Sequence, residues 1–207
     1  ITNNKSFIAT GEASDGSGKA DVKVWEPMLA SGKEFLSIVF SVTLNVDGIN
    51  YIKFSPNGKY LVCGCNDPNH TIFLIDAEGE DDQRILGKES GGPSKIYGIA
   101  FKNNSEFATV GIKQFRLWRI GEKERDEKVL SYTEVKLQDK LDNKFGAVAS
   151  PFNTDHFYLG CSTGIIQLYK NNNYMNSKAV HTSSIDTIFI GKNHIITGGR
   201  DRTICIM

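Results

Sequence analysis

VHTSSIDTIFIGKNHIITGGRDRTICIM, Val180 to Met207, is the stretch whose reading decides the fold. An apolar run from Ile185 to Ile190 breaks at Gly191-Lys192-Asn193. A second, Ile195 to Thr197, breaks at Gly198-Gly199-Arg200-Asp201, and a third runs from Thr203 to Met207. Short apolar runs bounded by Gly and Asn read as strands joined by tight turns. His181 stands just ahead of the first strand, and Asp201 lies in the turn between the second and third.

The same unit recurs upstream. Val22–Trp25, Ile72–Ile75, Phe115–Trp118 and Ile166–Tyr169 align with Ile204–Met207 as third strands. They are apolar in the first and third columns and end on a large residue at 25, 75, 118, 169 and 207. Spacings of about 40–50 residues are those of a blade-type repeat with loop insertions. Second strands precede them at Phe7–Gly11, Tyr60–Gly64, Phe107–Gly111, Phe157–Gly160 and Ile195–Gly198. Each closes on glycine, which turns without a Cβ penalty. First strands are read at Ile49–Phe54, Ile96–Phe101, Phe145–Ala149 and Ile185–Phe189, and irregular fourth strands at Phe35–Leu44, Gln83–Leu86, Lys128–Leu137 and Tyr174–Val180. Ser55-Pro56-Asn57-Gly58 and Ser150-Pro151-Phe152-Asn153 are strong turn signals between first and second strands. No amphipathic helix of helical period emerges.

Strands in this order, with His before the first and Asp in the second turn, have the layout of a WD40 repeat. The expected fold is all-β: a WD40 β-propeller segment of about five blades, part of a larger seven-bladed or double propeller. Blade units fall at about 1–48, 49–95, 96–144, 145–184 and 185–207. The first lacks an opening strand and the last lacks a fourth, so the segment is expected to be incomplete at both ends. A five-bladed ring closed by its own termini is the weaker alternative.

Three stretches resemble one WD40 branch, the echinoderm microtubule-associated protein-like (EMAP-like) family. They are Phe7–Gly11 with a Gly-rich insertion and Asp21–Trp25, the run Phe107–Trp118, and Gly198-Gly199-Arg200-Asp201-Arg202. That family's hydrophobic ELP motif and N-terminal coiled coil have no counterpart here, so oligomerisation is not carried over. The resemblance implies a non-catalytic scaffold on microtubules, tubulin or axonemal proteins, in the cytoplasm and cytoskeleton and in a cilium. An adaptor for a peptide or complex unrelated to microtubules is the alternative.

Composition narrows the partners. The chain has 207 residues with 24 basic and 24 acidic side chains, so its formal net charge is zero. Nucleic acid and anionic membrane both favour a basic excess, and neither is expected as the main partner. No window carries eighteen uninterrupted apolar residues, and the N-terminus lacks a signal-peptide core. Cys63, Cys65, Cys161 and Cys205 sit within apolar runs and read as reduced core thiols. Sequons at Asn4, Asn69 and Asn103 read as chance.

Several constellations invite chemistry. His181, Thr197 and Asp201 match three positions of the WD40 structural tetrad, with Met207 where Trp is usual. The same trio could be read as a catalytic set, but a strand-borne Thr without an oxyanion hole makes a poor nucleophile. Ala13–Ala20 (ASDGSGKA) mimics a phosphate loop yet lacks its first Gly and final hydroxyl. As a calcium loop from Asp15 it fails at Ala20, where Gly is needed. A flexible hairpin insertion is expected instead. Cys63, Cys65 and His70 could be part of a zinc site, but no second pair follows, Cys161 and Cys205 being read as the same strand positions of later blades. Trp25, Trp118 and Tyr169 read as core packing. No cofactor, metal or catalytic residue is therefore expected, and the chain is not read as an enzyme.

Charge runs at Glu78–Asp82 and Glu122–Lys128 are placed on one rim. Lys19, Lys113, Arg200 and Arg202, on the other, are the candidate partner contacts, suited by charge to an acidic protein surface.

Overall fold

The computed structural model describes residues 7–30, 33–121, 129–138 and 141–207. The charged run Glu122–Lys128 lies outside them. The chain divides into two compact units, Ile1–Pro93 and Ser94–Met207.

In the first unit, β1 (Ile8–Gly11), β2 (Ala20–Ala30) and β3 (Lys33–Leu44) form an antiparallel sheet in that order. A second sheet holds β4 (Ile49–Phe54), β5 (Tyr60–Cys65), β6 (Ile72–Asp76) and β7 (Ile85–Glu89), again in sequence order. The second unit has three sheets. β8 (Ile96–Phe101), β9 (Glu106–Gly111), β10 (Gln114–Ile120) and β11 (Leu130–Glu134) make one. β12 (Phe145–Ala149), β13 (His156–Cys161), β14 (Ile165–Lys170) and β15 (Asn173–Ala179) make the next, and β16 (Ile185–Ile190), β17 (Ile195–Gly199) and β18 (Ile204–Ile206) the last. Each sheet is an antiparallel meander, as short apolar runs joined by tight turns require.

Each unit has its own core. In the first, Val22, Val24 and Phe40 from one sheet pack with Leu61, Cys63 and Ile75 from the other. In the second, the Phe115 ring meets Phe157 and Tyr169 edge-on, at centroid distances of 5.6 and 5.3 Å. Fully burying one such side chain stabilises by about 1.5–3 kcal/mol. Middle strands are covered on both faces, so β5 is buried from Leu61 through Cys65, while the edge strand β15 is mostly exposed.

One irregularity recurs in register. Between the first and second strands of four sheets the pairing skips one residue, leaving Asn50, Tyr97, Gly146 and Asp186 bulged. A bulge bends the strand and re-aims the extra side chain. Across from it stand Gly64, Val110, Gly160 and Gly198, so the glycine expected at the third blade is one residue late. Gly98 compensates: a Cβ there would lie 3.2 Å from Val110 Cγ2. The glycine has moved across the strand pair.

Some expected boundaries move. Residues Asp81–Gln83 form a 3-10 turn, and β7 starts at Ile85 rather than Gln83. Arg84 explains this, its guanidinium donating to the carbonyls of Asp76 and Ala77 while its own carbonyl accepts from Asp76 N–H. The β2–β3 hairpin outgrows its blade. Past a bulge between Val24 and Trp25 it continues to Ala30, and the burial that alternates below the bulge gives way to exposure above it.

Candidate functional site

His181 is held in the loop ahead of β16 by its own N–H, which donates to Gly164 O. Its ring is buried, with 0% of the side chain exposed. Nδ1 lies 3.0 Å from Asp201 Oδ1 and 2.9 Å from Thr203 Oγ1, and Nε2 lies 2.8 Å from Thr197 Oγ1. One tautomer fits this set, with a single Nδ1–H shared between the Asp201 carboxylate and Thr203 Oγ1 while Nε2 accepts from the Thr197 hydroxyl. The Thr182 N–H bond holds the Asp201 carboxyl far below its ordinary value; burial opposes this, and Thr203 and His181 add to it. The structure therefore brings His181, Thr197 and Asp201 together. Thr197 is 0% exposed, so its hydroxyl is enclosed between the strands and the His181 ring.

Register shows where the remaining member belongs. Thr109 faces Arg116 across β9 and β10, and the Trp118 indole N–H reaches back to donate to Thr109 Oγ1 at 2.9 Å. Trp25 does the same to Thr10 in the first blade, also at 2.9 Å. Thr197 faces Cys205, and Met207 pairs with Ile195 where Trp118 pairs with Phe107. Met207 thus fills the tryptophan position without a donor. The corresponding pairs are Cys63 with Ile75 in the second blade, and Leu159 with Tyr169 in the fourth. Thr10 and Thr109 escaped the sequence reading, although each stands on a glycine-ended second strand as Thr197 does.

The fourth blade ties loop to turn with the polarity reversed. Asp142, ahead of β12, accepts from the Ser162 hydroxyl and from the Thr163 hydroxyl and N–H. Burial alone would raise its pKa; the Lys144 N–H and these donors outweigh that and lower it.

Other candidates resolve differently. In Ala13–Ala20, Ser14 Oγ accepts from the N–H groups of Gly16, Gly18 and Lys19, and Asp15 accepts from Ser17 N–H. The amides a phosphate would need point inward, onto the insertion's own side chains. Cys63, Cys65 and Cys161 are buried, and burial pushes the Cys65 and Cys161 thiols up to about 12. Register corrects their alignment: Cys161 matches Cys65, each opposite the start of its inner strand, whereas Cys205 lies on β18 opposite Thr197. Among the described residues no group of three or more His, Cys, Asp or Glu could hold a metal.

Lys19 is exposed in the first unit's β1–β2 loop. Lys113 and Arg202 are exposed in the β9–β10 and β17–β18 turns of the second, both at positive φ, and Arg200 pairs with Asp186 at 2.7 Å. A 520 Å³ cleft beside Trp118 is polar, and its charges neutralise one another: Lys102 sits 2.6 Å from Asp155 and 3.1 Å from Glu106, with Arg119 3.5 Å from Glu106. A 270 Å³ cleft in the first unit is lined by Val24, Val39, Phe40, Phe54 and Pro56. Above it the β2–β3 hairpin exposes Met28, Phe35, Leu36, Ile38 and Val39, each by 42% or more.

Comparison with known proteins agrees with this geometry. The WD domain, G-beta repeat model matches residues 38–76. The chain superposes along its whole length on the β-propeller domain of Cps50 (Swd1) from Myceliophteria thermophila, at TM-score 0.76 and 16% identity. It does the same on U3-55K, at TM-score 0.73 and 17% identity. It spans 64% and 58% of those two chains. The fold is a partial WD40 β-propeller, and a likeness at this identity speaks to the fold alone.

Proposed function

We propose that the chain is a non-catalytic scaffold that docks other proteins on the exposed turns of its blades. The carrying observation is the burial of the acid–base constellation of His181, Thr197 and Asp201. His181 and Thr197 are closed to substrate, so the chemistry-bearing residues brace a blade, while Lys113, Arg200 and Arg202 remain at the surface. WD40 propellers are commonly used in this way, and the rim charges supply specificity and on-rate more than raw affinity. The test is cross-linking of the full-length protein in cells, followed by mass spectrometry. A stoichiometric protein partner cross-linked through the turns near Lys113 and Arg200 is expected. A monodisperse chain with no partner would overturn the scaffold reading.

Microtubule association is the finer form of the same reading. It is supported by the order of the motifs at Phe7–Trp25, Phe107–Trp118 and Gly198–Arg202, and by cations suited to an acidic tubulin surface. It would place the protein on the cytoskeleton. Co-sedimentation with polymerised tubulin at low salt decides it. Pelleting supports the microtubule form; a chain left in the supernatant while still holding its protein partner favours the adaptor form.

A further inference from the structure

Several exposed cations of the second unit lie on one rim. The β9–β10 turn touches the approach to β12: Lys113 N–H donates to Asn143 O at 2.6 Å, and Ile112 bridges to Lys144. The approach to β8 closes on the same turn, since a Cβ added to Gly111 would stand 2.4 Å from Lys95 O. Lys95, Lys113 and Lys144 are therefore neighbours, and all three are exposed.

Tyr97 and Asp186, two of the bulged residues, join them to the last blade. The Lys95 ammonium lies 6.0 Å from the Tyr97 ring centroid. Asp186 stands beside Gly146, two residues on from Lys144, since a Cβ added to Gly146 would lie 3.6 Å from its Oδ1, and Asp186 holds Arg200.

Three described carboxylates of this rim, Asp142, Asp186 and Asp201, are engaged within the chain. Asp142 is occupied by Ser162, Thr163 and Lys144 N–H, Asp201 by His181, Thr182 and Thr203, and Asp186 by Arg200 and Ser184. Among the described residues, no carboxylate is paired with Lys95, Lys113, Lys144 or Arg202. The patch is a local basic surface on a chain of zero net charge.

We propose that Lys95, Lys113, Lys144 and Arg200, around Tyr97, form a docking site for an acidic polypeptide segment of a partner protein. The proposal rests on the scaffold reading and names its partner's chemistry. Exposed ammonium groups attract carboxylates without demanding one geometry, which suits an extended acidic segment. Nucleic acid fits less well. The whole-chain field is neutral, Asp186 would face the phosphates, and half-buried Tyr97 offers little stacking platform.

The test is fluorescence anisotropy of the full-length protein with fluorescein-labelled decaglutamate. Binding is expected at about 25 mM salt and should weaken steeply toward physiological ionic strength. The triple variant K95Q/K113Q/K144Q should bind about tenfold more weakly, three exposed ion pairs at roughly 0.5 kcal/mol each. The control K59Q/K170Q should bind like wild type. Equal binding by the triple variant, or no wild-type binding at low salt, overturns the proposal. So does tighter binding of a labelled single-stranded oligonucleotide that the triple substitution abolishes. Failure here leaves the scaffold role standing, because that role is read from partner cross-linking; failure of the scaffold role would instead show as decaglutamate binding with no protein partner.

Discussion

Trp118 is 1% exposed and its indole N–H needs an acceptor, which Thr109 Oγ1 provides from a residue that is itself 0% exposed. Thr109→Val keeps the shape and removes the acceptor. Leaving a buried donor unpaired costs about 1–3 kcal/mol, so Thr109→Val should lower the denaturation midpoint while Thr109→Ser largely preserves it. Asp201 gives a prediction with a sign. Hydrogen bonds, the Thr182 N–H first, hold its folded pKa below the unfolded value of about 4. Its contribution is therefore complete above that value and is lost as pH falls through the lower, folded one. Thermal melts of Asp201→Asn against wild type should show a gap at pH 7 that narrows steadily below about pH 4. A gap constant with pH would show that the carboxylate charge is not what the brace uses. The His–Thr–Asp half of the brace was legible because its spacing in Val180–Met207 is local. The Trp–Thr half was missed because it depends on cross-strand register: the partner of Trp118 is set by the Arg116–Thr109 pairing.

At the scale of elements, inner and middle strands were legible nearly to the residue, since two-sided burial makes them apolar runs between turn signals. Outer strands were less so. β7 was displaced by the Arg84 hydrogen bonds to Asp76 and Ala77, which a hydropathy pattern does not register. The β2–β3 hairpin is the clearest departure, its apolar pattern continuing where burial stops. Among the described residues β3 pairs with β2 alone, and Leu36, Ile38 and Val39 on it are exposed. An apolar edge stretch such as Phe35–Phe40 templates association, and a lysine on it blocks pairing at little expense in stability. Ile38→Lys, at a residue 51% exposed, should reduce light scattering on heating and leave the melting temperature within about 2 °C. A drop well beyond that would mean that Ile38 packs within the fold rather than standing outside it.

At the scale of the whole molecule, the repeat is legible as a period, but the division into two compact units is not, because both sides of Pro93 carry the same motif. The division follows from packing: Val24, Phe40, Leu61 and Ile75 serve one core, and Phe115, Phe145, Phe157 and Tyr169 another. Blade proteins stack repeats whose contacts are mainly with neighbours, so local damage should spread within a unit before it crosses the chain. Leu61 is 0% exposed in the first core, and Leu61→Ala should cost about 2–5 kcal/mol through lost burial and a residual cavity. Hydrogen exchange locates that loss. Amides of β1–β7 should exchange faster in the variant, while β12–β15 keep wild-type protection, since sub-global opening releases only the unit whose core has been weakened. Uniform acceleration across β1–β18 would instead mean that the two units open as one, with Leu61 stabilising every blade at once.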